Sequence, residues 1–155
     1  MDLYVIARLV HILSACVLFG SGAAIAFFML MAWRSGGRAG FALVARHVVL
    51  ADWLFTASAV VIQPLSGIAL AHLAGWPLTA PWLLASYGLY GFIGACWLPV
   101  VWIQYRVRDR LAAAEGETVP PEVHRLMRIW FVLGWPAFAA LIGIFVLMIT
   151  KPGFH

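Results

Sequence analysis

Charge is what this sequence has least of. Only 10% of its 155 residues are charged while 65% are apolar, where soluble domains carry about a quarter charged residues. The charges are also segregated: none falls among the 25 residues between Arg8 and Arg34, the 53 between Asp52 and Arg106, or the 22 between Arg128 and Lys151. Gaps of this length exclude a soluble globular fold. About 20 helical residues cross a bilayer core of roughly 30 Å, so the middle gap holds two spans and the chain four. Cysteine is scarce too, and Cys16 and Cys96 lie inside expected spans without CxxC or metal-ligand spacing. They are expected as small apolar residues rather than a disulfide or zinc framework. Repeats, low-complexity tracts and a second domain are absent from the sequence.

The expected fold is all-α: one domain, residues 1–155, forming an antiparallel four-helix transmembrane bundle with spans at about 5–33, 47–73, 82–106 and 126–150. The hairpin HLAGWPLTAPW from His72 to Trp82 divides the middle gap through Gly75, Pro77 and Pro81. Pro120, Pro121 and Glu122 give a helix start signal after the longest soluble loop, Ala112 to Val123. Ala24-Ile25-Ala26 resembles a signal-peptide cleavage site, but the apolar run is too long and Asp2 offsets Arg8 in the leader. The first span is therefore read as a retained anchor. Loop one carries Arg34, Arg38 and Arg46, loop three carries Arg106, Arg108, Arg110, Arg125 and Arg128, and loop two carries none. Basic residues set topology, so loops one and three are expected in the cytoplasm with both termini outside. The net charge of +4 is a topology signal and not a nucleic-acid footprint.

Polar residues in spans are costly and mark partners or function. At 100° per residue, His11, Ser14, Leu18, Gly22, Ile25 and Met29 share one face of span one. A histidine and a glycine on one face leave room either for a neighbouring helix or for a flat cofactor. In span two, His47 and His72 point the same way from opposite ends, roughly 37 Å apart. A second stripe, Asp52, Thr56, Gln63 and Ser66, is expected to face the bundle interior. Asp52 is expected to pair with Arg128 of span four; the alternative is a proton-relay carboxylate or a quinone-headgroup contact backed by Gln63. In span three Tyr90, Trp97 and Gln104 repeat every seven residues beside Gly94, a stripe better explained by packing than by a cofactor. Trp53, Trp76, Trp82 and Trp130 are expected in the interfacial aromatic belt.

Matched by depth, His11 faces His72 near the outer surface and His47 faces His124 near the inner one. Imidazoles projecting from facing helices of a bundle are a way to hold haem, and neighbouring arginines suit its acidic propionates. His11 and His72 are thus candidate iron ligands with Arg8 beside them, and His47 and His124 candidates for a second haem b. His155, at the terminus, carries no weight. The alternative for the interfacial histidines is contact with lipid headgroups.

Arg8-x-x-His11, Arg46-His47 with Asp52, Gln63-Pro64-x-x-Gly67, Trp97-Leu98-Pro99 with Gln104, Gly134-Trp135-Pro136 and Lys151-Pro152 resemble the bacterial family of predicted integral membrane proteins designated domain of unknown function 2269. The resemblance covers almost the whole chain and implies four spans in the bacterial inner membrane, with no settled activity. That family is in turn similar to a group including the copper-resistance protein D and protoporphyrinogen oxidase J types, in which a histidine early in span one is a haem-ligand candidate. Only His11 maps onto that position. The expectation is a small b-type haem protein exchanging electrons with quinone or another membrane redox partner. The alternative is a cofactor-free scaffold or accessory subunit of a transporter. An oxidase acting on a porphyrin-like substrate ranks lower, with no catalytic residue to assign. Copper handling ranks lowest, because Met29 and Met31 diverge by about 200° on a helix.

Pro64, Pro99 and Pro136 fall within spans two, three and four. Each removes a backbone hydrogen bond and is a candidate kink.

Overall fold

The computed structural model describes residues 2–153; His155 lies outside the described residues. Helix α1 covers Leu3–Arg34 and α2 covers Arg38–Ala51. A π-helical turn, Asp52–Ala57, joins α2 to α3, Ser58–Leu73; α4 covers Pro81–Ala113 and α5 Pro121–Thr150. Among the described residues there is no strand, and four helical stretches are long and apolar enough to cross a membrane: α1, Arg38–Leu73, α4 and α5. The chain is an all-helical integral membrane protein.

Every expected span lies inside one of these helices, but the helices overrun the expected limits at the arginine-bearing end. The second span starts at Arg38, α4 continues to Ala113, and α5 starts at Pro121. The reason is physical: arginines mark where hydrocarbon ends, and a helix with satisfied backbone continues past that level. Local chemistry agrees with the ends observed. Asp2 caps α1 by accepting from the Tyr4 amide at 3.4 Å, and Pro81 and Pro121 open α4 and α5 where their missing N–H costs nothing. Gly75, at φ +72°, closes α3 in a left-handed turn, with the Trp76 amide returning to the Ala71 carbonyl at 2.9 Å.

Helix α1 packs chiefly on α3, and α4 on α5, while α2 lies against α1 and α4. The core is thickest at the arginine-bearing end, where Met29, Phe41, Val107, Leu111, Val123 and Met127 are wholly buried. The Arg38 guanidinium ties the two loops there by donating to the Gly116 and Leu111 carbonyls. At the opposite end Ala71, Ala80, Trp82 and Leu83 pack against Trp76 and Met148. The Lys151 ammonium sits 4.7 Å from the Trp76 ring centre, so Lys151 closes that end over the aromatic pair.

Pro64 has no N–H to give the Val60 carbonyl four residues earlier. The Tyr90 hydroxyl, from α4, donates to that carbonyl at 2.7 Å. A proline in one span is thereby satisfied from another, as the absence of water in the bilayer core requires.

Two tryptophans expected in the interfacial belt are instead buried: Trp82 and Trp130 turn inward, while Trp53 is 60% exposed. Position near a span end does not fix the side on which an indole falls. Both cysteines are free, Cys96 buried and Cys16 exposed on the lipid side of α1.

Candidate functional site

The α1–α3 seam gathers the first polar set. His11 Nδ1 lies 3.2 Å from the Gln63 backbone carbonyl and 3.1 Å from Ser66 Oγ, and the Gln63 side-chain amide lies 3.4 Å from Nε2. These contacts are mutually consistent with a proton on Nδ1, donated to the carbonyl, and a lone pair on Nε2. Ser14 donates to the Gln63 side-chain oxygen, and Ser66 donates to the Ile62 carbonyl at 2.7 Å. The imidazole rests on Gly67, where a Cβ would come 2.9 Å from His11 Cε1. At this level a neighbouring helix fills the face of span one.

Four residues lining the middle of the bundle make a second polar set. Asp52 is buried at the π-helical turn, bonded to Thr56, and accepts from Trp97 Nε1 at 3.4 Å. Thr56 in turn meets Ser21 of α1 at 3.0 Å. The expected Asp52–Arg128 ion pair does not form: among the described residues the ion pairs are Arg108–Asp109 and Arg110–Glu122. Inward Asp52 meets Trp97 of α4 and Thr56 of its own turn, whereas Arg128 is exposed near the membrane surface.

Beside Asp52 lies a cavity of about 360 Å³ bounded by α1, the π-helical turn, α4 and α5. That volume is within the range of small-molecule sites. Gly22, Gly94 and Gly134 line it, and a Cβ at any of them would meet nothing within 4 Å. Trp135 lines it too and is 70% exposed, so the cavity opens toward lipid beside α5. Among the described residues three buried side-chain polar atoms have no hydrogen-bond partner: Trp82 Nε1, Gln104 Oε1 and Trp130 Nε1. Gln104 and Trp130 both line this cavity, only 2% and 5% exposed. The residues that carry an unpaired acceptor and an unpaired donor thus border one apolar space. Such atoms cost about 1–3 kcal/mol each when nothing bonds them.

The stripe Tyr90, Trp97 and Gln104 with Gly94, read from the sequence as packing, all lines the cavity. Trp130 was hidden by its position near a span end. A buried amide beside glycines on one helix face was the available signal.

The histidine candidates fall elsewhere. His72 is exposed at the end of α3, five residues beyond Gly67 and hence about 140° around the helix from the face that meets His11. The structure does not bring His11 and His72 together. His47 is exposed on α2, which packs on α1 and α4, while His124 of α5 accepts from Trp33 Nε1 at 2.7 Å. Arg8 is exposed on α1, one turn before His11. No histidine lines the cavity, and among the described residues no group of three or more His, Cys, Asp or Glu side chains could hold a metal ion. His11 and His72 therefore do not make a facing pair of imidazoles.

No curated protein and no solved structure matches the chain. A family signature does match, over residues 5–152 and so nearly end to end, and the chain belongs to that family, predicted integral membrane protein (DUF2269).

Proposed function

We propose that this chain is a membrane-embedded binding protein for a flat, apolar molecule with an oxygen-bearing head, of the quinone or quinol class. The observation that carries this is the pair of unpartnered buried atoms, Gln104 Oε1 and Trp130 Nε1, on two residues that line one apolar cavity. A ligand hydroxyl would donate to Gln104 or Asp52, and a ligand carbonyl would accept from Trp130. Trp97, Phe131 and Phe138 supply flat walls for a ring, and the opening beside Trp135 leaves a path for a tail into lipid. The proposed location is a bacterial inner membrane, and the loop arginines support an orientation with their end in the cytoplasm.

The test is quenching of tryptophan fluorescence in the purified protein by a short-chain quinone. Saturable quenching near one equivalent, lost in Gly134→Phe, supports the site. Quenching that rises linearly and equally in both proteins reflects partition into detergent and sinks it.

A second reading, haem at His11 with an electron-transfer role, is favoured by one observation: donation from Nδ1 to the Gln63 carbonyl leaves Nε2 as the nitrogen with the lone pair, met among the described residues only by the Gln63 amide. This is the orientation that iron-ligating imidazoles adopt. Binding there requires the Gln63 amide to move away and a second ligand other than His72. Oxidised and dithionite-reduced spectra with a pyridine haemochrome assay decide it. A stoichiometric Soret band lost in His11→Ala carries that reading; folded protein without one, after expression with haem precursor, ends it.

A further inference from the structure

We propose that the groove between α1 and α5 at the arginine-bearing end binds the phosphate of an anionic phospholipid. The groove, about 730 Å³, is lined by Leu30, Trp33, Arg34, His124, Arg128 and Phe131, with Val132 at its edge. Its polar groups are all donors. His124 uses Nδ1 to accept from Trp33, so its proton sits on Nε2, a donor on a side chain that lines the groove. Arg34 and Arg128 have no acidic partner among the described residues, since Asp109 and Glu122 are engaged by Arg108 and Arg110. A phosphodiester presents only acceptors and a negative charge, which complements this set.

The rest of the groove specifies a lipid rather than a soluble phosphate. The Trp33 ring is stacked on Phe131 at 6.0 Å, and Val132 is 71% exposed on the side that faces hydrocarbon. Arginines here end α1 and sit in the second turn of α5, the level at which headgroups lie. Basic pockets between spans on the cytoplasmic side are suited to anionic headgroups. A zwitterionic lipid would bring its own ammonium toward two unpaired guanidinium groups and is disfavoured. The site is separate from the cavity, with Phe131 lining both, and stands whatever the cavity binds.

The test is native mass spectrometry of the full chain, delipidated in detergent and offered equimolar phosphatidylglycerol and phosphatidylcholine. Preferential retention of phosphatidylglycerol is expected, falling roughly fivefold in Arg34→Gln or Arg128→Gln and roughly thirtyfold in the double variant. Arg8→Gln, at the opposite end of α1, leaves retention unchanged. Equal retention of the two lipids by the unaltered protein overturns the proposal, as does undiminished retention in a helical, monodisperse double variant. Displacement by millimolar inorganic phosphate overturns the lipid assignment in favour of a soluble phosphate. If the double variant does not fold, the unaltered protein's lipid preference and the single variants decide.

Discussion

The α1–α3 seam and the mid-bundle cavity use the same ingredients to opposite effect. Along one face of α1, His11 and Ser14 meet Gln63 and Ser66 across the seam, while Gly22, three turns on, faces open space. At the seam every polar side chain finds a partner and Gly67 is small because an imbedded ring demands it. Around the cavity a Cβ on any of three glycines would meet nothing, and two lining residues leave an amide oxygen and an indole N–H unpaired. Polar groups in a span therefore mark either a lock between helices or a vacancy between them. Whether donors and acceptors meet across the gap is what separates the two.

The contrast can be broken first at Gly67. Gly67→Leu drives a side chain into the His11 ring, and overpacking of this kind costs up to about 3 kcal/mol; a large drop in the thermal midpoint of detergent-solubilised protein is expected. An unchanged midpoint would mean that the seam is not tightly packed. Next, His11→Ala removes the contacts to Gln63 and Ser66 and should lower stability by about 2 kcal/mol, as expected when buried partners are stranded, while leaving saturable quinone quenching intact. Loss of quenching with stability unchanged would join the two regions into one site. The smallest effect belongs to Gly94→Ala. Its Cβ meets nothing within 4 Å, and exchanging glycine for alanine inside a helix contributes up to about 1 kcal/mol, so the midpoint should hold or rise slightly. A marked fall in the midpoint would show that α4 already has a close neighbour there.

Much of the bundle was legible because hydrophobic runs, proline starts and the Gly75 turn act within a few residues of chain. The stripe Asp52, Thr56, Gln63 and Ser66 was also correctly turned inward, since lipid offers those groups no hydrogen bonds. The candidate site was less legible. Matching depth suggested His11 with His72, yet His72 lies about 140° around α3 from the side that meets His11. Charge complementarity suggested Asp52 with Arg128, yet Asp52 turns to Trp97 and Thr56.

By itself the sequence determined the number of spans, their class and the turn between the second and third of them, because backbone satisfaction and apolar length are local requirements. Only the tertiary structure decided who faces whom. It set Tyr90 on the carbonyl that Pro64 frees and His11 on Gly67, and it left Gln104 Oε1 and Trp130 Nε1 without hydrogen-bond partners on residues around a cavity. Helical period fixes the phase of side chains within one helix, whereas the rotation of one helix against another follows from packing of all the spans together.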